Sequence, residues 1–428
     1  MTGRYRAYPE YKDSGVDWLG SVPKSWKISR LGGVFEERRE KVSDKDFPAL
    51  SVSRDGIVPQ LDHAAKTEAG DNRKKVCLND FVINSRSDRK GSSGTSKLNG
   101  SVSLISIVLT PRAINPDFAH HLLRSYPFQN EFYRYGKGIH ADLWSTNYSE
   151  MKNIILALPD ENEQQKIAYF LESETSMIDT LITKQEKLIE LIKEKRKALI
   201  SHAVTRGLNP LAPMKYSGVD WLGKVPEHWS VKKFNHCAQI RGGLVDPKLK
   251  QYKSLTLYAP NHIEKETGKV LSKESAHAQG ADSNKYLCFK GEIIYSKIRP
   301  ALAKVALCDE TVALCSADMY PINAYNGLKN SFLHRFLLSD NFTKAVVLDS
   351  DRVAMPKVNR EALGEYKIPV PPINEQNDIC EYIDRQSSIL DELENKAKIA
   401  IELMKERKLA LISAAVTGKI DVRDWEIE

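Results

Sequence analysis

The chain has 428 residues, 41% of them hydrophobic and 28% charged, with a net charge of +7. That mixture excludes a disordered polypeptide and supplies apolar material for about three domains of ordinary size. The basic start MTGRYRAYPEYKDSG is followed by no apolar stretch and no run of eighteen apolar residues occurs, so neither export nor membrane insertion is expected and the cytoplasm is the expected compartment. Six cysteines (Cys77, Cys237, Cys288, Cys308, Cys315, Cys380) lack CxxC spacing and a histidine at finger spacing. Free, mostly buried thiols are expected, with no disulfide framework and no metal site.

In chain order the first feature is SGVDWLGSVPKSW, Ser14 to Trp26, which returns as SGVDWLGKVPEHW, Ser217 to Trp229, identical at ten of thirteen positions. A match of that length marks an internal duplication. A variable block follows each copy of this box, the second about nine residues longer than the first. Within the blocks, VCLNDFVINSR from Val76 parallels YLCFKGEIIYSK from Tyr286, SVSLISIVLT from Ser101 parallels TVALCSADMY from Thr311, and NIILALP from Asn153 parallels YKIPVPP from Tyr366. These are β-type runs, and FAHHLLRSY and SFLHRFLLS read as short helices, so each block is a mixed α/β (α+β) domain.

After each block comes a long stretch free of proline and glycine, opening NEQQ at Asn162 and NEQN at Asn374, with Pro159 and the pair Pro371 and Pro372 just ahead. Each is expected to be one helix. Apolar residues recur in alternating steps of four and three: Ile167, Leu171, Ile178, Leu181, Leu188, Ile192 and Leu199 in the first, Ile379, Ile383, Leu390, Leu393, Met404 and Leu411 in the second. Glu174, Gln185 and Lys195, and Gln386, Ala397, Ala400 and Arg407, complete the two seams. Two such seams in one chain predict a two-helix coiled coil, against the plainer reading that each stripe packs on its own domain. The expected layout is a first domain over 1–160, a helix over 161–207, a second domain over 208–372, a helix over 373–419, and a tail over 420–428. A shared frame around two unlike blocks suits a protein that meets one partner twice and two different targets once each.

Basic residues gather at matching places. The first block holds Arg73, Lys74, Lys75, Arg86, Arg89, Lys90 and Lys97 among serines and glycines, and the second holds Lys297, Arg299 and Lys304 in YSKIRPALAK. His140, and Arg352 with Lys357, stand before the last strand of each block. Such side chains can contact phosphates and base edges; the bland reading of any one cluster is a solvated loop. No phosphate loop, HExxH, GxSxG or GxGxxG pattern occurs. Glu365 and Lys367, with Asp349 and Asp351 upstream, form the ExK half of a magnesium nuclease pattern, but the first block has Asn153, Ile154 and Ile155 there. A coiled-coil scaffold that touches no DNA is the third reading.

The two boxes, the GEIIYSKIRPALAKV stretch, the ENEQ and INEQ helix entries and the KRKALISHAVT and ERKLALISAAVTG endings, in this order and twice, resemble the specificity subunits of type I restriction-modification systems. The resemblance covers nearly the whole chain. It implies a subunit without catalysis of its own, with two target recognition domains that each read half of a split duplex DNA sequence and an antiparallel two-helix coiled coil between them. It further implies two methylation subunits using S-adenosylmethionine, and two restriction subunits using ATP and Mg. The SKIRP pattern occurs in the second block only; the first has SRSDRKGSSG in its place.

Overall fold

The computed structural model describes residues 5–60, 70–138, 144–350 and 356–426. It divides into two units, one made of residues 1–185 and 399–428, the other of 186–398. Each unit combines a mixed α/β domain with parts of both long helices.

In the first unit the box forms a hairpin, Tyr11–Asp13 against Ser21–Pro23, closed by the Ser14 N–H on the Gly20 carbonyl at 3.0 Å. Trp26 ends the box fully buried. The next strand, Lys27–Arg30, pairs with Ile155–Leu158, the last strand of the block. Between them lie a four-stranded sheet in the order Ser93–Thr95, Phe81–Asn84, Ser106–Pro111, Phe35–Glu37 and a three-stranded sheet in the order Gly100–Val102, Arg73–Val76, Lys41–Val42. Helices Pro116–Arg124 and Tyr126–Arg134 cover the first sheet through Phe118, Leu122, Phe128 and Phe132, all fully buried. Asn115 starts the first of these by accepting the N–H groups of Asp117 and Phe118.

The second unit repeats this order. Its box hairpin is Met214–Tyr216 against Lys224–Pro226, and Ser230–Lys233 pairs with Lys367–Val370. One sheet runs Ala238–Ile240, Met319–Ala324, Ile293–Ser296, Val305–Leu307; the other runs Leu244–Val245, Lys285–Phe289, Val312–Cys315, Leu257–Tyr258, the last pair parallel. Both blocks, unlike in sequence, share one fold because the β-runs fall in the same order, and in both an arginine grips a buried carboxylate. Arg38 grips Asp80 at 2.7 Å in the first unit, and Arg241 grips Glu292 in the second.

The long helices are Glu161–Arg206 and Ile373–Val416. They run antiparallel. In the first unit Ile167, Leu171 and Ile178 share a buried cluster with Leu411, Ala415 and Val416, and Met404 packs against it. In the second, Ile200, Ala203 and Val204 share one with Ile379, Cys380 and Ile383, and Leu199 packs against it. Ile192 and Leu390 are buried as well.

Five expected seam residues are not in the seam: Leu181, Leu188 and Leu393 are 48%, 42% and 45% exposed, and Lys195 and Arg407 are exposed as well. The inward stripe passes instead through Ile178, Ile182, Gln185, Ile189, Ile192 and Arg196, and in the second helix through Leu390, Glu394, Ala397, Ile401, Met404 and Lys408. It steps by four and three as a heptad does, but a second consecutive step of four, from Ile178 to Ile182 and from Leu390 to Glu394, shifts each seam by one residue, a stutter in the heptad. The helix interface is polar in places, with the buried Arg196 bonded to Asp391 at 2.6 Å and Lys408 reaching the exposed Asp179 at 2.6 Å across the pair.

Each box is seated on two helix ends. Glu163 accepts the Trp26 indole N–H at 2.9 Å and the Tyr8 hydroxyl at 2.6 Å; Glu375 accepts the Trp229 indole at 3.0 Å and pairs with His228 at 2.8 Å. The adjacent glutamine binds back to the carbonyl that precedes the helix, Gln164 to Pro159 at 2.9 Å and Gln376 to Pro371 at 2.8 Å. The other helix arrives by its C-terminus. A β-carbon on Gly418 would stand 2.3 Å from Pro23 Cδ, and one on Gly207 would stand 3.2 Å from Trp229.

Candidate nucleic-acid interface

The basic stretches picked out in the two blocks fall on one recurring piece of backbone. In the first domain the chain leaving strand Phe81–Asn84 pairs with residues 144–146: Arg86 bridges Ser145, the Ser87 N–H donates to Trp144 at 2.9 Å, and the Thr146 N–H donates to Ser85 at 3.0 Å. In the second, the chain leaving Ile293–Ser296 pairs with residues 356–358: Ile298 bridges Lys357, the Arg299 N–H donates to Pro356 at 3.1 Å, and the Val358 N–H donates to Lys297 at 2.8 Å. Every position is displaced by 212 residues. The two predicted segments of each block thus meet as a short antiparallel ladder.

Its central pair carries one cation in each domain, but on opposite strands. Arg86 faces Ser145, whereas Ile298 faces Lys357. Directly opposed residues share a face, so the central pair of each ladder puts one positive side chain at the same place, mounted from a different strand; in the first domain Lys137 bridges Ser145 from the other side and is paired with Glu150 at 2.7 Å. Successive residues alternate faces, so Lys297 and Arg299 lie on the other side of their ladder. Arg86, Arg299 and Lys357 are exposed. Arg299 has φ +49° and Ala303 φ +41°, left-handed values at both ends of the Pro300–Leu302 turn. Such conformations in non-glycine residues concentrate at binding sites.

The other candidates are held by the fold. Lys74 donates to the Ser106 carbonyl at 2.9 Å and lies 3.5 Å from Glu37; Lys75 pairs with Glu40 at 2.9 Å and sits over the Phe47 ring. Lys97 pairs with Asp117 at 3.0 Å, and Lys90 bonds to Asn130 above the Tyr126 ring. Lys304 donates to the Pro260 carbonyl, and Lys297 lies over the Tyr320 ring at 5.6 Å. Lys74, Lys75 and Lys304 are half-buried and bound, so they brace the sheets instead of facing a ligand. Arg89 is exposed with Asp88 3.7 Å away. His140 and Arg352 lie outside the described residues. Arg360 was not expected: it lies over the rings of Tyr286 and Tyr320 and bonds to the carbonyls of Ile240 and Arg241, close to Lys297.

The nuclease pattern does not converge. Glu365 pairs with Lys233 at 2.6 Å, the Lys367 ammonium donates to the Gly218 carbonyl at 3.1 Å, and Asp349 accepts the Tyr366 hydroxyl; Asp351 is outside the described residues. Among the described residues no three of His, Cys, Asp or Glu stand together as metal ligands.

Comparison with known proteins agrees with the repeated frame. Residues 226–403 match the family model described as type I restriction modification DNA specificity domain. The type I restriction enzyme EcoDI specificity subunit of Escherichia coli is 28% identical over 386 residues, covering 86% of this chain and 82% of that protein. The MjaVIII specificity subunit of Methanocaldococcus jannaschii is 24% identical, covering 94% and 95%. Among solved structures, one described under complex assembly and conformational transition of the type I R-M system superposes with a TM-score of 0.66 at 15% identity, covering 92% of this chain and 98% of that one. The HsdS subunit from Thermoanaerobacter tengcongensis gives 0.55 at 16%, covering 93% and 98%. With two boxes, two like-folded domains and two long helices in that order, the chain is similar over most of its length to the specificity subunits of type I restriction-modification systems.

Proposed function

We propose that each recognition domain reads one half of a two-part DNA sequence through the face that carries its ladder, while the long helices set the gap between halves and carry two methylation subunits. The specificity subunits of these systems recognise DNA and are not themselves catalytic. The observation that carries the finer reading is the paired ladder: one backbone geometry, repeated, with the cation moved from one strand to the other. That is how one scaffold acquires two specificities, since guanine and phosphate contacts depend on where the side chain starts. Helices of 46 and 44 residues extend about 69 and 66 Å, long enough to space two readers by more than one DNA turn of about 35 Å.

The surface of the helices supports a partner that binds twice. Met177, Leu181 and Leu191 are about half exposed, and so are Ile389, Leu393 and Leu403, each 212 residues on. Apolar side chains left outside in a repeated pattern fit two copies of one subunit. S-adenosylmethionine then belongs to the methylation subunits, and ATP and Mg to the restriction subunits. The proposal is tested by profiling modified adenines in a genome exposed to the complex. Two fixed half-sites at one gap are expected; a continuous site, or methylation unaffected by exchanging the second domain, would refute it.

A further inference from the structure

The second recognition domain sends a hairpin onto the helix pair. Residues 262–271 fold back through the Ile263 to Val270 bridge, the Glu264 N–H on the Lys269 carbonyl at 2.8 Å and the Leu271 N–H on the His262 carbonyl at 2.8 Å. Its inner side is fixed to the domain. Ile263 is fully buried, and the Glu266 N–H reaches the Leu302 and Ala303 carbonyls at 3.2 and 3.3 Å. At Gly268, φ is +74° and a β-carbon would stand 2.7 Å from the Val305 carbonyl and 2.9 Å from His334 Nε2, so the tip lies flat on the domain. Glu266 itself has φ +65°, which non-glycine residues rarely adopt. Thr267 Oγ1 donates to Glu264 Oε2 at 2.6 Å and accepts the Lys269 N–H at 3.2 Å. The hairpin is stiff in itself and stiffly mounted.

Its outer side chains grip both helices. Glu266 pairs with Lys197 of the first at 2.8 Å, and Lys269 pairs with Asp391 of the second at 2.5 Å. Asp391 is at the same time bonded to Arg196 of the first helix at 2.6 Å, and the Arg196 side chain is only 7% exposed. One carboxylate therefore joins two helices and a recognition domain. The corresponding pair in the first unit, Asp179 with Lys408, is a simpler contact whose carboxylate is more than half exposed.

We propose that Asp391 and Glu266 are positioning residues: with Lys269 and Lys197 they lock the hairpin to the helix pair, fix the angle of the second recognition domain, and so set how strictly the gap between half-sites is read. The proposal rests on the DNA-reading function above and adds the device that enforces its spacing. An isolated exposed ion pair holds a geometry only weakly, but two pairs converging on a stiff hairpin restrict one rotation together.

The test uses the full chain in complex with its methylation subunits and a DNA pool carrying both half-sites at the native gap and at one base pair more or less. The readout is the ratio of off-gap to native-gap methylation. Lys269→Gln is expected to raise that ratio about threefold, and Lys269→Gln with Glu266→Gln about tenfold, leaving the bases read in each half-site unchanged. The exchange Lys197→Glu with Glu266→Lys is expected to return the ratio to within about twofold of wild type. Lys269 is exposed and Glu266 and Lys197 are partly exposed, and amide exchange of 262–271 gives a second reading that also reports folding, faster in the double variant and restored in the exchange. An unchanged ratio in the double variant, or altered half-site bases, overturns the positioning role alone. A wild-type complex that methylates no two-part site overturns the functional reading and the positioning role together.

Discussion

Glu163 is the side chain on which the first box depends most, and Glu163→Ala measures that dependence. It is buried, and both the Trp26 indole and the Tyr8 hydroxyl donate to the same oxygen, Oε1, at 2.9 and 2.6 Å. Burial and the bond to Glu163 push the Tyr8 hydroxyl far above its ordinary value, so it remains a donor at any pH the fold survives. Alanine leaves both donors without a partner. An unsatisfied buried donor costs about 1–3 kcal/mol, so the variant should lose about 2–6 kcal/mol in the unit that contains it. Glu375→Ala is the internal control, because His228 is half exposed and water replaces its partner, leaving only Trp229 stranded and a loss of about 1–3 kcal/mol. Urea denaturation with amide exchange localises each loss, and Tyr8→Phe in the Glu163→Ala background should recover part of it. A loss below about 1 kcal/mol for Glu163→Ala, or one no larger than for Glu375→Ala, would refute the idea that the box is held through its tryptophan.

Arg86→Ala and Lys357→Ala should each lower the slope of log affinity against log salt for duplex DNA by about 1, while Lys75→Ala should leave the slope unchanged and lower stability. Burial first, and Arg124 next, hold His120 and His121 down to about 3 and about 4, and burial with Arg335 holds His334 down to about 3. The unfolded chain therefore takes up protons first. Stability contributed by these rings is complete above pH of about 6.5 and is lost progressively as pH falls toward 4, so a Tm that is flat over that window contradicts their buried neutral state. Leu181→Asp with Leu393→Asp should change the stability of the isolated chain by less than about 0.5 kcal/mol yet abolish co-purification with the methylation subunits. Deleting Leu188–Leu191 together with the facing Lys396–Ile399 shortens the helices by about 6 Å, close to two base pairs, and should shorten the gap while sparing both half-sites.

Box, block and helix were legible in the residues because each rests on a local signal: an identical thirteen-residue phrase, β-type runs, a long stretch without proline or glycine. The helix seam was legible only in part. Leu181, Leu188 and Leu393 continue a heptad that begins correctly at Ile167 and Ile379, and an exposed leucine on a helix looks in sequence like a buried one. The residues that replace them inside include Arg196 and Glu394, whose polarity hides them until Asp391 and the opposing helix are in place. The basic residues fared similarly. Lys74, Lys75 and Lys97 look available because Glu37, Glu40 and Asp117 lie tens of residues away, and nothing in the spacing announces those pairs. Arg86 and Lys357 stand opposite uncharged residues of a second strand, which is also a fact of three dimensions.

The thirteen-residue phrase occurs twice because a single copy could not be completed. Each box needs a carboxylate on its tryptophan and a helix terminus against its hairpin. The carboxylate comes from the helix that follows its own block, Glu163 for Trp26 and Glu375 for Trp229. The terminus comes from the other repeat: the end of the second helix lies on the first box at Gly418, with Lys419 donating to the Leu19 and Ser21 carbonyls, and the end of the first lies on the second box at Gly207. Antiparallel helices enforce this crossing, since the end of one lies beside the start of the other. One repeat alone would present a box with no helix terminus on it and a terminus with no box beneath it. The two blocks, which meet neither requirement of the other, were free to diverge down to the side chains of their ladders.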